Sequence, residues 1–290
     1  MQTLITLVIS GLTVGCIYAI VALGFVLIYK ATDTINFAQG DLMMLGAMVG
    51  VTFIATLKLP YIVGVLLAAI SMGIFGWLLE LGLMRHVIGK PHLTAVILTI
   101  AIGYVMRSGA GLVWGYQPLA VLTPFSGQVA HIGSTVVSGD RLAVIGGTAV
   151  LCGSIYSFFR FTRIGIAMQA TAQNRFAAYL MGIRVRRVFA ATWATSAALS
   201  AIAGILFIPI ALADVNMGAL GLKAYAAAIL GGFGSISGAL VASLMMGVVE
   251  QFAARYLPTG MHEVTGFVFL FAVLVVRPQG LFPQSARSRV

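Results

Sequence analysis

The sequence predicts an all-α polytopic membrane protein. Eight or nine transmembrane or re-entrant helices are expected, with a cytoplasmic helix between two of them. Three observations carry this reading. Of the 290 residues, 60% are hydrophobic and 8% charged, with mean hydropathy +1.06. A soluble domain carries about a quarter charged residues, so there is too little polar surface here to cover a water-soluble body. The apolar runs are also continuous and long. A helix needs about 20 such residues to cross a bilayer, whereas barrel strands alternate over roughly ten. Third, the basic residues gather in selected short loops, as the positive-inside rule requires.

Nine runs qualify in chain order: 3–29, 37–57, 60–84, 92–113, 141–160, 188–210, 219–234, 236–257 and 261–276. The first contains no charge before Lys30. The second opens on polar residues and carries Gly40 and Gly46, where it can break. The seventh holds Lys223 and ends in Gly231, Gly232 and Gly234, which marks a short or re-entrant helix. Most of the 17 basic residues sit at Lys30, in 85–90, in 160–187 and in the tail from Arg277 to Arg289. With nine crossings these four places share one side, the cytoplasm, if the N-terminus lies outside. Lys58 is a mild exception.

The net charge of +10 does not imply nucleic acid, because the membrane rule already accounts for the basic clusters. Cys16 and Cys152 both lie in apolar runs and read as small buried hydrophobes. They give neither a disulfide framework nor metal spacing. His86, His92, His131 and His262 are dispersed, and no HExxH, GxSxG or paired carboxylates occur. An enzyme is therefore not expected. The N-terminus has no basic n-region, so it is not a standard signal peptide. No GxxxxGK[ST] loop is present either, so this chain cannot bind ATP through a P-loop.

Three stretches carry candidate function. In "ATDTINFAQGDLMMLGAMVG" (31–50), Asn36, Gln39 and Asp41 stand directly ahead of an apolar run. Polar groups at a span are costly against lipid and belong in the bundle interior or a water-filled cavity. Asn36, Gln39, Asp41 and the following Met44 are therefore candidates for a translocation path. Alternatively, Asp41 caps the helix that follows. In "LGGFGSISGALVASLMMGVVE" (230–250), small residues suit either close helix packing or open backbone lining a cavity. Gly231, Gly232 and Ser235 are candidates there. Glu250 ends an uncharged stretch, with Lys223 or Arg255 as possible partners. Arg255 is five positions away and poorly placed for a pair on one helix.

The third stretch, "RIGIAMQATAQNRFAAYLMGIRVRR" (163–187), reads as a short amphipathic helix in a cytoplasmic loop. Ile164, Met168, Ala172, Phe176, Tyr179, Leu180 and Ile183 recur at spacings of three and four. Asn174 lies off this stripe, and Gly182 suits a stop. Such a helix lies on lipid or docks into a groove of a partner.

"TINFAQGDLMMLGA", "GIAMQATAQNRFAAYLMGI", "GLKAYAAAILGGFGSISGALVASLMMGVVE" and "VLVVRPQGLF" together resemble the permease subunits of branched-chain amino-acid ABC transporters. They follow in the same order across nearly the whole chain. The chain is most similar to the shorter of that family's two permeases. The resemblance implies one permease domain over 1–290, with an ATPase-coupling segment at 161–187 holding Ile164, Met168, Ala172, Asn174, Phe176, Leu180 and Gly182. It implies a homologous second permease, two cytoplasmic ATPase subunits that bind the ATP, and a periplasmic substrate-binding protein. The chain itself would hold no cofactor or metal. The place implied is the bacterial inner membrane, with the N-terminus periplasmic and the C-terminus cytoplasmic. Gln39 stands where the family often has His, Asp41 where it often has Glu, and Ser237 where it often has Pro. Branched-chain amino acids, other apolar amino acids, amides and urea all remain open as cargo. The competing expectation is a stand-alone secondary transporter or channel. Its ion-coupling groups would have to come from Asp41, Glu80 and Glu250.

Overall fold

A computed structural model describes residues 2–87, 89–132 and 135–282 of the chain. Within them lie eleven α-helices and one β-hairpin. In order they are α1 (Gln2–Thr32), α2 (Gln39–Val51), α3 (Tyr61–Gly82), α4 (His92–Trp114), β1 (Val129–Ile132), β2 (Thr135–Ser138), α5 (Gly139–Phe161), α6 (Arg163–Gln173), α7 (Arg175–Leu180), α8 (Val185–Ala211), α9 (Leu220–Gly231), α10 (Ile236–Tyr256) and α11 (Met261–Val276). Seven helices are long and apolar enough to cross a membrane: α1, α2 with its π-helical continuation to Thr56, α3, α4, α5, α8 and α10. The apolar α9 and α11 are shorter, at 12 and 16 residues. At 1.5 Å per residue α9 is about 18 Å long, well under the roughly 30 Å of a hydrocarbon core. The 219–234 run is thus the short helix its lysine and glycines foretell.

The apolar runs do not all face outward. The most hydrophobic part of α1 is 89% buried, against 22% for α5. Ile17 through Val26 of α1 are almost all enclosed, and α10, α8, α9 and α5 pack around this helix. A helix that is apolar all round is a core helix or a membrane span, and here one segment is both. Exposed apolar surface lies instead on α3, α4, α5 and α11, where Ile62, Val105, Val150 and Phe271 are uncovered.

Close helix contact rests on small residues. Gly11 and Gly15 of α1 lie against Gly247 and Leu244 of α10, where a Cβ on Gly15 would stand 2.8 Å from Leu244 Cα. Gly231 of α9 meets Gly238 of α10 in the same way. Without water to drive association, this backbone approach is what holds helices together in a bilayer.

The 114–140 stretch contains the hairpin, which the sequence reading did not predict. Val129 pairs with Ser138 and His131 with Val136. Leu119 exchanges two 2.8 Å backbone hydrogen bonds with Ala213, tying this loop to the end of α8. The basic loops do share one end of the bundle. Arg175 pairs with Asp33 just after α1, and Lys30 borders the same cavity as Gln169 and Gln173 of α6. Of the basic tail, Arg277 follows α11, and Arg287 and Arg289 lie outside the described residues.

Replacing Gly247 by Leu is expected to force α10 off α1 and to cost about 1–3 kcal/mol, the usual range for overpacking. Gly153→Ala on α5, where a Cβ meets nothing within 4 Å, serves as the neutral control. Thermal unfolding of the detergent-solubilised protein checks both.

Candidate functional site

The polar stretch after α1 forms two separate clusters, one on each side of the start of α2. The chain leaves α1 through Asp33, which takes a positive φ of 50°, a conformation that Asp tolerates better than most residues. Asn36 then closes an Asx turn, its Oδ1 accepting the Ala38 N–H at 3.1 Å. Asn36 Nδ2 donates to Gln39 Oε1 at 3.1 Å. Gln39 Nε2 donates to Ser200 Oγ at 2.6 Å. Ser196 Oγ lies 3.0 Å from Gln39 Oε1 and 3.1 Å from the Gly24 carbonyl, and can share its proton between them. Asn36, Gln39, Ser196 and Ser200 are all buried. Gly24 leaves the space the amide fills, since a Cβ there would collide with Gln39 Nε2.

Asp41 does not cap α2. The N-cap is Ala38, with no side-chain cap, and the Asp41 carboxylate faces α4 instead. Its Oδ1 accepts from Arg107 Nε at 3.1 Å and Nη2 at 2.9 Å. The Arg107 guanidinium also lies 5.8 Å from the Tyr104 ring centroid. Gly103 and Gly218 flank the carboxylate, and a Cβ on either would strike it. Gly40 and Gly221 bring the start of α9 against α2 at the same place. The Asp41 side chain is 10% exposed and that of Arg107 36%. Sequence reasoning missed Arg107, although the signal was present: it is the lone charge inside the 92–113 run, where an ionisable residue is costly unless it has a partner.

The other candidates lie elsewhere. Met44 is enclosed in the core, and Gly231 is packed against Gly238. Gly232 ends α9 with φ 93°. Ser235 caps α10, accepting the Gly238 N–H at 3.0 Å, and borders a cavity with Cys152, Tyr156 and Gln169. Glu250 is buried, accepts a 2.6 Å hydrogen bond from Tyr18 and stands 2.7 Å from Lys223 Nζ. Lys223, not Arg255, is its partner. Contact with a passing molecule needs an exposed atom. Inside this single subunit Asn36, Gln39 and Met44 are buried and present almost no surface for such contact.

The 163–187 segment is two helices rather than one. Thr162 caps α6, accepting from Gly165 N at 3.0 Å, and Asn174 breaks the run and caps α7, accepting from Ala177 N at 3.0 Å. Gly182 takes φ 79°. Its N–H reaches the Tyr179 carbonyl and that of Ile183 reaches Ala178, a Schellman stop. The break rotates the apolar stripe. Met168 turns inward and is only 3% exposed, so it cannot also meet a partner. Ile164, Phe176, Tyr179, Leu180 and Met181 are exposed. Ala172 and Asn174 are exposed as well.

Residues 7–277 match the family described as "Branched-chain amino acid transport system / permease component". The chain is 32% identical to the high-affinity branched-chain amino acid transport system permease protein LivH of Escherichia coli K12, covering 97% of this chain and 96% of the relative. It is 30% identical to the BraD permease protein of Pseudomonas aeruginosa over the same shares. Its fold is similar to that in the structure of PsaBC from Streptococcus pneumoniae in complex with Fab, with TM-score 0.51 over 93% of this chain and 91% of that one at 14% identity. The family match over almost the entire bundle and the near-full-length identity place the chain among the branched-chain amino-acid ABC transporter permeases.

Proposed function

We propose that this chain is one membrane permease of an ATP-driven importer that brings branched-chain or related apolar amino acids into the cytoplasm. The observation that carries the reading is the face of α6 and α7. Phe176, Tyr179, Leu180 and Met181 lie together and exposed, at the bundle end where the basic loops gather. A permease without a P-loop must take its energy from other chains, and an amphipathic helical face is the form that docks into a partner's groove. The partners are two ATPase subunits, which bind the ATP, a second homologous permease, and a periplasmic binding protein that delivers the cargo. The basic end is cytoplasmic. In this reading the chain sits in a bacterial inner membrane with its N-terminus outside and its C-terminus inside.

The pairing of the acids favours this over a stand-alone ion-coupled carrier. Asp41, Glu80 and Glu250 are bound to Arg107, Arg85 and Lys223 respectively. A carrier driven by ions needs acids free to exchange them, and these three are occupied. Glu250, Lys223 and Tyr18 instead join α10, α9 and α1 into one unit.

Phe176→Asp places a charge on the docking face. Uptake by the reconstituted complex should fall to background while the chain still inserts and its thermal unfolding stays unchanged, because residue 176 is exposed. Met168→Ala should behave differently, with a stability loss of about 2–5 kcal/mol from a core cavity. Retained ATP-driven uptake in Phe176→Asp would refute the coupling role.

Specificity rests with the binding protein, and the path itself holds cargo weakly, since a site that binds tightly slows exit. Titration of substrate into the permease–ATPase complex without binding protein should show no saturation in the micromolar range. A dissociation constant of about 1 μM, near 8 kcal/mol, would place a true high-affinity site in the membrane.

A further inference from the structure

Arg107 occupies an unusual place. It is seven residues from the end of α4 at Trp114 and 15 from its start at His92, about 10 and 22 Å along the axis. That is well inside a span, yet the side chain is 36% exposed. A guanidinium presented to hydrocarbon there costs several kcal/mol. Tyr104 lies one turn before it, and Ser108, one turn on from Tyr104, is exposed on the flank of α4 beside it. Val105 and Leu112 are exposed beside them, so it is a half-exposed guanidinium at this depth, and not the polarity of the helix face, that points to water.

The guanidinium is also held and only half used. Nε and Nη2 donate to Asp41 Oδ1, and Tyr104 packs 5.8 Å from its centre. Gly103 and Gly218 close the space around the carboxylate. Among the described residues, Nη1 donates to no acceptor. A fixed guanidinium with a free edge is the side chain best shaped for a carboxylate.

We propose that Arg107, positioned by Asp41, lines the translocation path on the open face of α4 and contacts the α-carboxylate of the amino-acid cargo in transit. This rests on the reading of the chain as an amino-acid permease. The contact is a weak one, made while Asp41 keeps most of the guanidinium charge. It guides the charged end of a zwitterion through an otherwise apolar wall, and it leaves the apolar side chain of the cargo unread.

The test uses the full complex of permeases, ATPases and binding protein in proteoliposomes. Cys16→Ala and Cys152→Ala remove the native thiols first. In that background Asp41→Asn is combined with Arg107→Cys, so that no carboxylate is left stranded, and Ser108→Cys is made alone with the ion pair intact. Each is treated with water-soluble methanethiosulfonates carrying ethylammonium or ethylsulfonate. Position 107 is expected to react with both reagents. Before reaction its maximal uptake rate should be down roughly tenfold or more, with little change in the half-saturating substrate concentration. The ethylammonium adduct should restore uptake and the sulfonate adduct should not. Position 108 should react too, its sulfonate adduct blocking uptake. Failure of both positions to react in the assembled complex would mean that the second permease seals this face, and would overturn the proposal. So would equal uptake from the two adducts at 107, or undiminished uptake in the unmodified variant. Should the position-107 variant not assemble, Ser108→Cys decides alone. If the parent complex hydrolyses ATP but moves no amino acid, it is the transport reading that falls.

Discussion

One buried amide fixes where the second helix begins. Gln39 bonds to Ser196 and Ser200 of α8 and to Asn36 of the preceding turn, and it fills the notch that Gly24 leaves in α1. In hydrocarbon an unpaired amide costs several kcal/mol. The backbone leaving α1 can therefore settle only where that amide is satisfied. This one requirement ties α1, α2 and α8 together at a point and sets the direction in which α2 leaves it. Everything carried by α2, including Asp41, inherits that direction.

From there the constraints pass outward through glycine. Gly40 against Gly221 seats α9 on α2, and Gly103 and Gly218 allow α4 and the turn ahead of α9 to close on the Asp41 carboxylate. The charge of Asp41 is thus matched by Arg107 in a pocket with no room for a side-chain carbon at either glycine. Buried ion pairs contribute little net stability, because desolvation offsets attraction. Removing Arg107, however, strands a carboxylate that is only 10% exposed, a loss that reaches about 3–5 kcal/mol in a fully buried pair. The pair therefore enforces an arrangement of α2 and α4 more than it strengthens the bundle. The same holds for Glu250 with Lys223 and Tyr18, which fixes α9 against α10 and α1.

The fold class, the order of the spans and the shortness of α9 were legible from apolar run length and the placement of Lys223 and the glycines. Family membership was legible from four local motifs. What stayed hidden was direction. Hydropathy sees that α1 is apolar but cannot tell lipid from protein, so its burial at the centre could not be read. Periodicity assumes an unbroken helix. The cap at Asn174 therefore turned Met168 inward and Phe176 outward, although both sat on one continuous stripe of the sequence. Asp41 showed a carboxylate at a helix start, for which capping is the local answer. Its real partner lies 66 positions away, and only the fold brings the two together.

These directions also separate two jobs that the sequence had merged. Asn36, Gln39 and Met44 face inward and hold the bundle's shape, while on α4 Tyr104 and Ser108 are exposed and Arg107 is half-exposed beside the start of α2. In the proposed importer, with its path shared between two permeases, both are needed. Its inner polar groups must be fully bonded to keep the wall stiff, and its outer ones must keep free hydrogen-bonding capacity for whatever passes. The guanidinium of Arg107 meets the two demands at once, with two nitrogens committed to Asp41 and a third left over.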